Sequence, residues 1–214
     1  MQTSKTGKYY EMLEEKSFAL FIKRLFDIVV SLFGLIALSP LFLGIFIAMK
    51  ITDKGPVFFA GNRIGKNMKP FKILKFRTMI VDADKKGLAI TTGSDPRITK
   101  IGHFLRKTKI DELPQLINIL FGKMSFVGTR PEAPNYVENY TEDMISTLLL
   151  RPGLTSLASI IYRDENSVLD GSDDPEKDYI EKILPIKMDY NYEYFNHINI
   201  FYDIKIMLKT VFKK

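Results

Sequence analysis

From Ile28 to Met49 the chain reads IVVSLFGLIALSPLFLGIFIAM, without one charged residue. A straight helix of that length would run roughly 33 Å, about the thickness of a bilayer's hydrocarbon core. The run is too long for the apolar part of a signal peptide, lacks a cleavage site and follows a polar lead, so it is expected to be retained. Ser39-Pro40 stands in its middle. Proline removes one helical hydrogen bond, clashes with the preceding turn and disfavours helix at the residue before it, so a bend is predicted there. Lys23 and Arg24 precede the segment and Lys50 and Lys54 follow it, so charge on both flanks gives no orientation. Two arrangements fit these residues: a hairpin that dips into one leaflet and returns, and an ordinary kinked span.

The remaining length bounds the organisation. A chain of 214 residues, 46% hydrophobic, supports one domain with its own core beside such an anchor. We divide it into a polar N-terminal tail or short surface helix (1–22), a membrane segment bent at Ser39-Pro40 (23–51) and a body (52–214). No internal repeat or low-complexity tract suggests a solenoid. In the body, Val57-Phe58-Phe59 and Phe71 to Thr78 read as strands of a β-hairpin around the basic loop GNRIGKNMKP. On the second strand Lys75 and Arg77 would share one face, opposite Leu74 and Phe76. Ile101, Phe104 and Leu105 predict a short amphipathic helix, and Leu113, Leu116, Ile117 and Leu120 a second one ended by Gly122. The C-terminal INIFYDIKIMLKTVFKK sets apolar residues at helical spacing against Lys205, Lys209 and Lys213. It fits equally a helix in the headgroup layer and one packed on the core. The fold class is therefore α+β and helix-rich: a helix-break-helix anchor plus a compact mixed domain with a small hairpin and amphipathic helices.

A formal charge of +6 suits nucleic acid, an anionic membrane or a phosphorylated substrate, and decides nothing alone. With no cysteine, disulfides, thiolate metal sites and thiol nucleophiles are excluded, and the two histidines lie far apart. Chemistry must rest on carboxylates, lysines, arginines or hydroxyls. Pro114 is tolerated only in the first turn of a helix, which places Asp111 and Glu112 at a helix start, where free amides gather. A lone pair there reads as helix capping. Its company widens the reading: Arg106, Arg130, Arg151 and Arg163 offer planar forks for phosphate oxygens, and Lys75 and Arg77 form a basic strand face that is either solvated or binds phosphate or lipid headgroups. Carboxylates, a divalent cation and arginines together suffice for phosphoryl transfer.

The order GPVFF, NRIG, KPFKILKFRTM, IDELPQL, MSFVGTRP and RPGLTSLA, after a proline-broken apolar segment, resembles the monotopic phosphoglycosyl transferases, a group of bacterial sugar transferases. The resemblance runs from about Lys23 to the C-terminus. It implies a re-entrant anchor, Mg²⁺, Asp111 as nucleophile and Glu112 as the magnesium-binding partner. Arg106, Arg130 and Arg163 match family arginines near the substrate phosphates or nucleotide. The implied reaction moves a sugar 1-phosphate from a UDP-sugar to polyprenyl (undecaprenyl) phosphate at the cytoplasmic face of the bacterial inner membrane, through a phosphosugar held on Asp111, with UMP released.

Two departures stand out. Thr129 occupies VGTRP where the family commonly has proline, and SLASIIYR replaces the usual AQVNGR-type stretch. Both bear on the pocket, so the sugar is not inherited from the resemblance. Other readings fit the residues too: direct attack by the lipid phosphate with the carboxylates only holding metal, or a basic membrane-anchored module without catalysis. No nucleic-acid motif is present. A multispanning transferase is disfavoured by the lone long apolar segment, and self-association is left open.

Overall fold

The computed structural model describes residues 4–53, 55–83, 95–161 and 174–212. Three helices open the chain: α1 (Ser4–Glu15), α2 (Ser17–Ala37) and α3 (Ser39–Thr52). The hairpin β1 (Phe58–Ile64) and β2 (Pro70–Phe76) follows, then α4 (Lys100–Thr108) and α5 (Gln115–Leu120). Strands β3 (Ser125–Val127) and β4 (Gly153–Thr155) pair in parallel, and the helices Leu184–Asn196 and Ile200–Phe212 close the described chain. The architecture is helix-rich α+β with a small antiparallel hairpin.

The bend falls at Leu38, where α2 and α3 meet at 56°. Pro40 has no N–H to give the carbonyl of Ile36, and the Ser39 hydroxyl donates to that carbonyl instead, at 2.8 Å. The backbone ladder otherwise continues, with Leu38 N donating to Gly34 O and Phe42 N to Leu38 O, both at 2.9 Å. Among the described residues no single helix is long and apolar enough to cross a membrane, whereas the bent pair together is.

Helix α2 is built inside out. Lys23, Asp27 and Ser31, four apart, form its buried stripe. Lys23 pairs with Asp203 of the C-terminal helix, whose second oxygen accepts from Tyr194 at 2.7 Å. Asp27 accepts from Ser125 Oγ at 3.1 Å and from the Phe126 amide at 3.0 Å, and Arg24 donates to the carbonyls of Ile119 and Leu120 at the end of α5. The outer face carries Phe18, Phe21, Leu25, Val29, Leu32, Phe33 and Ile36, all exposed. The helix Ile200–Phe212 repeats the pattern, burying Asp203 and Ile206 and exposing Phe201, Ile204, Leu208 and Val211. Water-facing helices show the reverse distribution.

Several sequence expectations change. The 1–22 region is helical in its described part, α2 already starts at Ser17, and Tyr9, Met12, Leu13 and Leu20 pack against the core. The hairpin register runs from Phe58↔Phe76 to Ile64↔Pro70, so Arg63 lies on a strand and the turn shrinks to residues 65–69. Phe104, expected on the apolar side of its helix, is 59% exposed. Gly122 does end α5, at φ 73°, a left-handed conformation that suits glycine.

Candidate active site

Helix α4 starts on a cap, Thr99 Oγ1 accepting from Gly102 N at 3.0 Å, and stops where Lys109 turns left-handed at φ 58°. The chain then tightens into a 3₁₀ turn, Ile110–Glu112, and passes through Leu113-Pro114 into α5. The dyad therefore precedes α5 instead of forming its first turn. The amides of Glu112 and Leu113, expected to be free, donate to Lys109 O and Ile110 O within the turn. Charge at this site comes from side chains.

The first of these is Lys75. Asn118 on α5 accepts from Leu74 N and donates to Lys72 O, both at 2.9 Å, which ties β2 alongside the turn. Lys75 on the next residue donates to Glu112 Oε1 at 2.8 Å. Burial works against ionisation of Glu112, but Lys75, Arg130 and Lys109 prevail and hold its carboxyl below the usual glutamate range. Asp111 is buried, and its Oδ1 has no hydrogen-bond partner among the described residues. Burial pushes its carboxyl above the ordinary aspartate value with help from neighbouring Glu112, while Lys75, Lys109 and Arg106 oppose the rise. One carboxylate is thus satisfied and the other is left open.

Arg106 reaches the site from two turns into α4, close enough to influence Asp111, with its Nε donating to Thr78 Oγ1 at 2.8 Å. Arg130 is exposed just beyond the buried strand β3 and acts on Glu112. Behind it, Tyr179 donates to Glu132 Oε1 at 2.7 Å and buried Lys187 donates to Tyr179 Oη at 3.2 Å. Arg63, from β1, faces both Glu132 and Arg130.

The structure thus brings Asp111, Glu112, Lys75, Arg106 and Arg130 together. Arg77 goes elsewhere. Its amide still donates to Val57 O at 2.8 Å, continuing the hairpin pairing, but its side chain is buried beneath Gly55 in an ion pair with Asp53 at 3.1 Å. Arg163 lies outside the described residues. Sequence reasoning missed Lys109, which acts on both carboxyls, although its place at the helix end beside Asp111 was a usable signal. It also missed Thr78 and the Glu132–Tyr179–Lys187 support, which join residues remote in sequence.

Among the described residues no three acidic or histidine side chains gather as a metal site. Two adjacent carboxylates, one with an open oxygen, fit Mg²⁺, which commonly binds one or two carboxylates and completes its shell with water and substrate phosphates.

Comparison with known proteins gives the family. Residues 18–214 match the family described as bacterial sugar transferase. Over 196 residues the chain is 43% identical to a UDP-glucose:undecaprenyl-phosphate glucose-1-phosphate transferase of Klebsiella pneumoniae, covering 89% of this chain and 39% of the relative. A UDP-N-acetylgalactosamine-undecaprenyl-phosphate N-acetylgalactosaminephosphotransferase of Aeromonas hydrophila is 31% identical over 89% of this chain and 43% of its own length. The exopolysaccharide production protein ExoY of Rhizobium meliloti is 35% identical over 88% of this chain and 83% of its own. The chain thus spans about two fifths of the first two relatives and most of the third. By the extent of these matches, it belongs to the bacterial sugar transferase family.

Proposed function

We propose that this chain transfers a sugar 1-phosphate from a UDP-sugar to polyprenyl phosphate through a covalent phosphosugar on Asp111, releasing UMP. The observation that carries the reading is the buried, unpartnered Oδ1 of Asp111 set among Lys75, Lys109 and Arg106 beside a satisfied Glu112. An unpaired buried acceptor is costly, and such groups concentrate where chemistry needs them.

In the first step an Asp111 carboxylate oxygen bonds to the β-phosphorus, and the bond from that phosphorus to the bridging oxygen breaks. The bridging oxygen leaves with UMP. Arg106 and Arg130 are placed to hold phosphate oxygens through planar donor forks, and Lys75 keeps Glu112 ionised. In the second step an oxygen of the polyprenyl phosphate attacks the same phosphorus and the acyl–phosphate bond breaks, restoring the Asp111 carboxylate. Glu112 and Asp111 would hold Mg²⁺, which would neutralise charge on the phosphates.

The outward apolar faces of α2, α3 and the C-terminal helix support attachment to a membrane, with α2 and α3 as a re-entrant hairpin in the cytoplasmic leaflet of the inner membrane. Ser39 and Pro40 form its bend. Membrane-impermeant labels placed near residue 2 and near residue 213 of the protein in sealed vesicles are expected to react from the same side. Labelling from opposite sides would make the bent pair a span.

The covalent route is tested by intact and peptide mass after incubating nanodisc-held protein with Mg²⁺ and a panel of UDP-sugars, without acceptor. A phosphosugar on the Asp111 peptide, absent in Asp111→Asn, is expected, and the responding donor names the sugar. UMP appearing only once polyprenyl phosphate is added would favour direct attack.

A further inference from the structure

We propose that Thr78 is a positioning residue whose hydroxyl aims the Arg106 guanidinium at the dyad. The inference rests on the transferase reading above, and begins with how firmly Thr78 itself is held. It is 7% exposed. Its carbonyl accepts from Thr99 N at 3.0 Å, Met79 pairs antiparallel with Ile98, and Ile80 N donates to Arg97 O at 2.9 Å. Arg97 is pinned in turn, donating through Nε and Nη2 to both oxygens of Asp95 and through Nη1 to Ala83 O. Helix α4 lies directly on this backbone. A Cβ on Gly102 would stand 2.0 Å from the Thr78 carbonyl oxygen, so a side chain there would drive the two apart.

Thr99 caps α4 and anchors Thr78, while Arg106, two turns further along the same helix, returns its Nε–H to the Thr78 hydroxyl at 2.8 Å. Backbone and side chain of Thr78 thus do separate jobs. The carbonyl holds α4, and the hydroxyl holds Arg106. A guanidinium is planar, so fixing Nε–H fixes the whole fork. Neither Nη group of Arg106 donates to any described residue, which leaves both for a substrate phosphate beside Asp111. Without the clamp a long flexible side chain must be ordered at the moment of reaction.

The test compares Thr78→Val, Thr78→Ser, Arg106→Gln and the double variant Thr78→Val/Arg106→Gln in nanodiscs, reading phosphosugar formation and UMP release. Thr78→Val, which keeps the backbone and shape, is expected to lower the rate by about 10- to 100-fold without lowering the melting temperature to match. Thr78→Ser should stay within about threefold of wild type, and Thr78→Val should cost nothing further once Arg106 is glutamine. An equal loss in both backgrounds would overturn the proposal, since Thr78 would then act independently of Arg106. Hydrogen exchange at Arg106 Nε–H, followed in ¹⁵N-arginine-labelled protein, gives a readout independent of turnover. Protection in wild type and Thr78→Ser that is lost in Thr78→Val supports the clamp, and rapid exchange in wild type removes it. Wild-type protein that protects this proton yet releases no UMP from any donor would strike the transferase reading and leave the clamp standing.

Discussion

Asp111→Asn is expected to abolish adduct formation, by about 10⁴-fold or more, while raising the melting temperature by roughly 2–4 °C. The two effects have one cause. The Asp111 carboxylate is buried with an unpartnered oxygen, and burial raises the cost of its charge relative to water. Asparagine keeps the shape and removes the charge, and it cannot act as the nucleophile. Because the folded-state pKa is raised, the stability difference between variant and wild type should vanish below the unfolded carboxylate pKa. It should grow as pH rises through the raised value. Adduct formation by wild type should fall in the opposite direction, declining as pH drops through a point above the ordinary aspartate range. Thermal unfolding of both proteins across acid pH, beside single-turnover rates, checks both curves. A variant that melts lower than wild type at neutral pH would contradict the stored cost.

Lys23→Met should produce the largest loss of stability, about 3–5 kcal/mol or roughly 10 °C in melting temperature. Methionine fills similar space but leaves Asp203 as a buried charge with only Tyr194 for support. Adding Asp203→Asn should recover most of the loss, because an uncompensated charge costs more than a missing pair. Chemical unfolding in detergent measures it. If the double variant is no more stable than Lys23→Met, the pair does more than neutralise Asp203.

What could be read from the sequence divides by range. The bend at Ser39-Pro40 and the end of α5 at Gly122 follow from local rules of proline and glycine, and these held, whereas the dyad sits in a separate 3₁₀ turn ahead of α5. Arg77 departed from the site because Asp53, just past α3, pairs with it beneath Gly55, a contact that strand alternation does not announce. The polar stripe of α2 was invisible for another reason. Lys23, Asp27 and Ser31 look like ordinary flanking or tolerated polar residues until Asp203, Ser125 and Phe126 are brought to them by the fold. In the same way Lys75 meets Glu112 only because Asn118 ties β2 to α5, a contact that no periodicity announces. Lys75 and Arg130 were named from their charge, but the contacts that bring them to the dyad across the fold were not legible, and Lys109 was missed although it stands two positions from Asp111.

The pair Lys23–Asp203 joins residues 180 positions apart, near the two ends of the chain. During synthesis, α2 emerges with two charges and an arginine on the face that the finished body will cover, long before the residue that neutralises Lys23 exists. Until Asp203 is made, α2 carries Lys23 without its partner on one face and exposed apolar residues on the other. Truncation anywhere before Asp203 therefore leaves Lys23 on the covered face of α2 without the carboxylate that the finished fold brings to it.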